Sequence, residues 1–522
     1  MRLVLTAAGL WLLAGAGVGA QGVEQYTFHM LLGRDTLSSE VVQRTATRVD
    51  VDMLDKTSGS RWRYALTLAP GGAVSSMHNA YYRLAQGDTV PFQSAELTFG
   101  RDTVTVDITG NVTRTERLPT RPGAMPYINP SFALIEQVVR RARAMGGSVD
   151  TVPVFAVSGG QTVPCVVARN GADSVTIALG LAVMRARVGA DGALLGVAIP
   201  AQHVQVVRVA GARPLGIQQV NYGAPPGAPY TAQDVTVHTP AGLSFTGTLT
   251  LPTARSGPVP AVVTITGSGA EDRDERIPMV DGYRIFWQVA DTLARRGIAT
   301  LRLDDRGVNG SSAGPADATS ADFANDIRAA LAYLRGRTEI DGSRLALVGH
   351  SEGGMIAPMV AATDPRLKGI VLLAGPAYSG RRILKFQQEN AVRNAPSLSS
   401  AQRREALAQS QRATDSLADH SAWLRYFLDY DPLATARQVR VPVLILQGET
   451  DQQVTPEQAD TLAAAFRAGG DRDVTVRKFP ATDHLFLPDS SGDPSRYGEL
   501  RVRAVRPAVL GALADWLVAH LH

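Results

Sequence analysis

Leu345-Ala346-Leu347-Val348-Gly349-His350-Ser351-Glu352-Gly353-Gly354-Met355-Ile356-Ala357-Pro358-Met359-Val360-Ala361 is the stretch on which the fold turns. An apolar run of strand length passes through a glycine-flanked serine into a segment with helical content. A short, wholly apolar strand is buried on both faces, which is the habit of parallel sheets. Gly349-His350-Ser351-Glu352-Gly353 is a GxSxG motif in the context that gives it meaning. A serine hydroxyl is a weak nucleophile, and a sharp turn from strand to helix lifts its oxygen out of the sheet and brings the next backbone N–H beside it. The glycines fit because such a turn is crowded and strained. Ser351 is therefore the candidate nucleophile, with the backbone of Glu352 as one donor to a developing oxyanion.

Outward from this turn the same grammar repeats. Ala261–Thr266 precedes a helix expected over 281–296, and Ala299–Leu303 precedes one over 321–335; the elbow itself leads into one over 352–363. Ile370–Leu373 and Val443–Leu446 follow, then a helix over 456–467, the strand Val474–Lys478 and a last helix over 498–519. A β-rich entry, Val235–Leu251, opens the series. Apolar strands alternating with amphipathic helices imply an α/β fold with a mostly parallel sheet covered on both faces. Between 376 and 440 the alternation stops for polar helical sequence, read as an inserted lid. Its aromatic residues Phe386, Trp423, Tyr426, Phe427 and Tyr430 either line an acyl pocket or pack the lid down.

A serine nucleophile needs a base, and the base needs an orienting acid, in the chain order Ser, Asp, His. Asp451 follows the strand Val443–Leu446 in Gly448-Glu449-Thr450-Asp451, with Glu449 as its rival. His484 follows the next strand in Ala481-Thr482-Asp483-His484, alone among nine histidines in standing at that edge. Both fall at the carboxyl ends of strands, where open α/β sheets bind ligands. His350 is expected to point into the packing beneath the turn, and Asp483 to point away or cap a turn. Thr266-Gly267-Ser268-Gly269-Ala270, after an early strand, supplies a second oxyanion donor, the N–H of Ser268 with Gly269 as competitor. The run Glu271-Asp272-Arg273-Asp274-Glu275-Arg276 reads as local ion pairs fixing that loop, and Asp304-Asp305-Arg306 likewise. GSGAED lacks the third glycine of a dinucleotide fingerprint. No HExxH, CxxC pair or EF-hand loop occurs, so neither metal nor cofactor is implied.

Residues 21–211 follow another rule. Val49, Val51 and Met53, then Val104, Val106 and Ile108, then Val175, Ile177, Leu179, Leu181 and Val183 alternate with polar residues, the pattern of antiparallel strands with one face wet. One helix is expected to open at Asn129-Pro130, close at Gly146 and cover the apolar face. Residues 212–230, rich in Pro and Gly without periodicity, read as a linker before a second unit over 231–522. At 522 residues and 45% hydrophobic content, two folded units are expected.

Residues 1–20 carry Arg2, an apolar run and Val18-Gly19-Ala20, the features of a signal peptide cleaved after Ala20. Export to the periplasm or the medium follows, without a stable membrane anchor. The single cysteine, Cys165, excludes an internal disulfide and reads as buried and structural. A formal charge of +4 with scattered basic residues gives no nucleic-acid surface.

The segments GSGAEDRDE, DDRGVNGSS, GHSEGG, GETD and DH, in this order, resemble bacterial α/β-hydrolases related to dienelactone hydrolases and prolyl-oligopeptidase-like enzymes, over residues 235–522. The resemblance implies an α/β-hydrolase fold and a secreted serine esterase, with Ser351 as nucleophile, His484 as base and Asp451 as orienting acid. The usual His-Gly of the oxyanion loop is replaced by Thr266-Gly267. The expected partner is a small-molecule ester. A peptide substrate is the rival, although no blade repeat of about 40–45 residues marks a propeller. A binding protein on a hydrolase scaffold is the second rival.

Overall fold

A computed structural model describes residues 22–521 except 85–87, 111, 181, 215–219, 278 and 395–398. The expected signal peptide, residues 1–20 with its cleavage point after Ala20, lies outside the described residues.

Fifteen strands between Glu24 and Ala210 form one sheet. The chain meanders from Glu24–Leu32 out to Arg114–Pro119, and the second half returns from Met125–Tyr127 to Val204–Ala210. The first and last strands pair, Tyr26 opposite Ala210, which joins the two meanders. Every neighbouring pair is antiparallel except Met125–Tyr127 with Val149–Ala156. Alternation decides the packed face: Val49, Val51, Met53, Val104, Val106, Ile108, Val175 and Ile177 are all buried. At Val183 the alternation does not carry on. Gly180 takes a positive φ of 58°, the chain turns into the hairpin strand Ala182–Val188, and Met184, Ala186 and Val188 face inward while Val183 faces water.

The helix Phe132–Met145 lies against this sheet, capped by Ser131 and stopped by Gly146 in the left-handed region. Two buried carboxylates pin it. Glu40 accepts from the N–H groups of Phe132 and Ala133 (3.0 Å for Ala133) and from the Ser131 hydroxyl (2.8 Å), satisfying donors that a helix start leaves open. Glu136 accepts from the Tyr26 hydroxyl (2.5 Å), Arg208 (2.7 Å) and the N–H of Leu194 (2.9 Å). Cys165 is buried, and burial pushes its thiol up to about 12.

The second sheet has eight strands. Tyr230–His238 and Ser244–Pro252 form an antiparallel hairpin joined to Ala299–Leu303, and the remaining neighbours run parallel through Val259–Ile265, Ile340–His350, Gly369–Leu373, Val443–Gly448 and Val474–Phe479. Val259–Ile265, Gly369–Leu373 and Val443–Gly448 are buried at every residue. One core lies under Ser320–Arg335, Glu352–Ala361 and Glu457–Gly469, the other under Ile285–Ala294 and Pro507–Leu521. The last helix starts later than its apolar pattern suggests: Pro494–Glu499 is a tight 3-10 turn, and Pro507 opens the α-helix, where a missing N–H costs nothing. Four helices, Gly380–Asn394, Ser400–His420, Ala422–Asp429 and Pro432–Ala436, are inserted between Gly369–Leu373 and Val443–Gly448. Among the described residues no helix is long and apolar enough to cross a membrane.

The two sheets meet where the first hairpin of the chain touches the 3-10 turn and the segment after it. A Cβ at Gly33 would fall 2.3 Å from the carbonyl oxygen of Gly498, and one at Gly498 would fall 2.3 Å from that of Leu32. Arg34 donates to the Arg501 carbonyl at 3.1 Å, and Arg503 pairs with Asp35. The described part of 212–230 is more than a spacer: the Tyr222 hydroxyl donates to Asp272 at 3.0 Å and accepts from Asn309 at 3.0 Å.

Candidate active site

The strand Ile340–His350 ends one residue before Ser351, which has φ 51° and ψ −116° and caps the helix Glu352–Ala361. A non-glycine residue in that region carries strain that the surrounding packing must hold. The crowding is direct: a Cβ at Gly349 would lie 2.1 Å from the Gly353 carbonyl oxygen, and one at Gly353 would lie 2.1 Å from that of Ile265. Only glycine fits either place, which is why GxSxG reads as geometry.

Asp451 sits in the loop after Val443–Gly448 and is 2% exposed. Its Oδ1 accepts from the N–H groups of Gln453 (2.8 Å) and Val454 (2.9 Å), and its Oδ2 from Gln447 Nε2 (2.9 Å). His484 Nδ1 lies 2.8 Å from the same Oδ2. An ionised carboxylate only accepts, so Nδ1 carries the proton and Nε2 is left as the basic nitrogen. Glu449, the rival acid, is exposed. Among the described residues no hydrogen bond joins Ser351 to His484, a contact that in substrate-free sites is commonly long and tightens with substrate bound. Asp483 is turned away and caps the loop through the Leu487 N–H (2.8 Å), with burial pushing its carboxyl up to about 7.

Gly267 packs against Ser351: a Cβ there would be 3.4 Å from Cβ of Ser351. The N–H groups of Ser268 and Glu352 have no backbone or side-chain acceptor among the described residues. The loop that carries Ser268 is braced from the neighbouring strand's loop. Asp305 accepts from Thr266 Oγ1 (2.7 Å) and the Glu271 N–H (3.0 Å), while Arg273 makes a buried pair with Asp304 (2.5 Å). Asp274 pairs with Arg284 (2.5 Å) and with Arg302. Only Asp272 with Arg276 is a pair within the run, so most partners lie far away in sequence. The adjacency of the strands Val259–Ile265 and Ala299–Leu303, each followed by an acidic-basic run, was the signal that could have suggested it.

The Glu352 side chain is buried and accepts from Ser320 (2.6 Å) and from Trp423 Nε1 of the inserted helices (2.9 Å). Burial pushes its carboxyl up, against the bonds from Ser320, Trp423 and Ser268. Trp423 stacks on Phe427 at 5.6 Å, and Tyr426 on Tyr430 at 5.5 Å, so these aromatic residues pack the lid onto the domain. Tyr426 and Tyr430 also border a hollow of about 430 Å³ with Thr319 and Arg425, which Ser351 does not line. No metal-binding group of His, Cys, Asp and Glu occurs among the described residues.

The strand order, the covered parallel sheet and the strained serine turn give residues 230–521 the α/β-hydrolase fold, preceded by a large antiparallel β-sheet. Residues 279–491 match the family described as serine aminopeptidase, S33. The chain is 27% identical over 299 residues to esterase EstD of Thermotoga maritima, covering 55% of this chain and 68% of that one. It is 25% identical over 250 residues to the uncharacterized peptidase YuxL of Bacillus subtilis, covering 47% of this chain and 33% of the relative. Among solved structures, the Pyrococcus furiosus esterase Pf2001 aligns with a TM-score of 0.40 at 14% identity, over 58% of this chain and 97% of that one.

Proposed function

We propose that this hydrolase cleaves carboxylic esters through Ser351, His484 and Asp451. Ser351 Oγ attacks the ester carbonyl while His484 Nε2 takes its proton. Asp451 holds the imidazole in the tautomer that leaves Nε2 basic and stabilises the imidazolium. The oxyanion forms against the N–H groups of Glu352 and Ser268. His484 returns the proton to the departing alcohol, and water, deprotonated by the same nitrogen, releases the acid from the acyl-enzyme.

The observation that carries this reading is the 2.8 Å bond from His484 Nδ1 to a fully hydrogen-bonded Asp451, on loops at the sheet edge that holds the strained Ser351. Hydrolysis of p-nitrophenyl esters from acetate to palmitate tests it, with Ser351→Ala alongside. Turnover lost in the variant supports the reading and measures the acyl pocket; turnover retained by the variant sinks it. A peptidase reading is the second, favoured by the match of residues 279–491 to the serine aminopeptidase family. Faster turnover of aminoacyl amides than of short acyl esters would select it. A fluorophosphonate that leaves Ser351 unlabelled in folded protein would instead indicate a binding role. We also propose export with cleavage after Ala20; N-terminal sequencing of the protein recovered outside the cytoplasm checks it by starting at Gln21.

A further inference from the structure

His350 is beneath the serine turn, and its two ring nitrogens are both engaged. Nδ1 contacts Glu275 Oε1, and Nε2 lies 2.9 Å from the backbone carbonyl oxygen of His484. A carboxylate and a carbonyl can only accept, so both nitrogens donate and the ring is an imidazolium. His350 is 1% exposed and Glu275 is 2% exposed, which makes this a dry ion pair. Removing two charges from water costs several kcal/mol per ion, and a pair of apolar residues would hold the space at least as well. Glu275 also sits at φ 54°, a second cost for a side chain other than glycine. Two costs at one point call for something gained there.

The connections show what is gained. Glu275 Oε1 would lie 3.1 Å from a Cβ at Gly267, so its carboxylate rests against the oxyanion loop. His350 precedes Ser351 in the chain. The carbonyl it holds belongs to His484, and the two imidazole rings are 4.8 Å apart at 45°. One ion pair thus touches the oxyanion loop, the nucleophile turn and the base, three segments far apart along the chain.

We propose that Glu275 and His350 form a charged positioning pair that sets the His484 backbone, and through it the imidazole, relative to Ser351. This rests on the assignment of Ser351 and His484 above. The pair has a direction: its cationic end faces His484, while its anionic end lies away from it. The cationic end opposes protonation of His484, against Asp451, which favours it. The other titratable groups packed there are Asp483, Glu271, Tyr283 and Tyr497. The Glu275 charge also raises Glu271, Tyr283 and the neighbouring Asp305, so Glu275→Gln lowers these groups as well.

Glu275→Gln keeps the shape and removes the counter-charge, so His350 loses a proton and can no longer donate from both nitrogens. His350→Gln keeps a donor for the carbonyl without the charge. On a p-nitrophenyl ester, Glu275→Gln should lower kcat by about 10–100-fold with KM within about twofold, the scale of losing a group that orients a functional side chain. The acid limb of its kcat profile should move to higher pH, and His350→Gln should lose less in kcat with the same shift. Full-length wild-type protein and Ser351→Ala should both show two downfield imidazole N–H resonances from His350, absent in His350→Gln.

An unchanged kcat and pH profile in folded Glu275→Gln would overturn the proposal, as would a fall in kcat with the acid limb in place, which marks a purely structural pair. If both variants fail to fold, the wild-type resonances decide, because a single His350 N–H at neutral pH overturns the charged pair. Retained activity in Ser351→Ala would instead defeat the underlying assignment while leaving the ion pair standing.

Discussion

The fifteen-stranded and eight-stranded sheets bury their strands by opposite rules. In Arg48–Asp55, as far as Met53, and in Thr103–Gly110, apolar residues are hidden and their neighbours are more open to water, so each strand contributes one face to a core shared with a single helix. In Gly369–Leu373 and Val443–Gly448 every residue is hidden, because helices cover both faces. A parallel sheet must send each crossover away from the carboxyl ends of its strands, so loops of different origin gather at one edge. Ser351, Asp451 and His484 stand in three such loops. The antiparallel sheet turns back tightly at each strand end, and its buried carboxylates Glu40 and Glu136 hold a helix in place.

Chemistry and stability should therefore separate by region. The largest effect expected is on activity alone: Ser351→Ala should lower esterase turnover by about 10⁴-fold or more with an unchanged melting temperature, read by parallel assays and calorimetry. Glu136→Ala should do the reverse. It strands the Tyr26 hydroxyl and the Leu194 N–H in the N-terminal sheet and leaves Arg208 with Glu24 as its one carboxylate partner, at about 3–5 kcal/mol in a denaturant titration, while the folded fraction keeps its turnover. Loss of turnover per folded molecule would break the comparison.

Acid–base behaviour sharpens it further. Burial raises the Glu40 carboxyl from an ordinary 4.5 to about 7, so the folded state holds a proton that the unfolded chain has released. The stability this supplies is present below about 4.5 and is lost as pH rises through about 7. Its size is about 3 kcal/mol, and melts from pH 4 to 8 should show Glu40→Gln without that slope. Asp483 in the second sheet's site loops follows the same sign, so Asp483→Asn should remove a second part of the slope.

The contact between the sheets gives a smaller effect. Gly33→Ala puts a Cβ into the Gly498 carbonyl at a φ of 59°, and should cost about 1–3 kcal/mol, seen as earlier melting of the N-terminal sheet. The smallest effect is at Cys165: the native protein should resist alkylation by iodoacetamide, and rapid labelling would show that its strand opens.

Much of the site was legible because its signals are local. A strained turn demands glycines beside Ser351, and Asp451 and His484 each follow an apolar strand, so order along the chain carried the reading of Asp451 over Glu449. The lid was legible as a break in alternation, while the role of Trp423, which bonds the Glu352 carboxylate, was not. The run Glu271–Arg276 was read as locally paired because sequence neighbours are the only partners a string of residues displays. Val183 was misplaced because Gly180, one of fifty glycines, did not announce a hairpin.

The sequence by itself determined the two burial rules, the serine turn and the strand-end positions of Asp451 and His484, since each depends on periodicity or steric demand within a few residues. Only the tertiary structure decided that Arg273 pairs with Asp304, that Gly33 meets Gly498, and that Glu275 and His350 share an ion pair against the His484 carbonyl. The partners in these contacts are separated by 31 to 465 residues, counting from the first-named pair to the second, and the energy of a buried charge depends on what surrounds it in space.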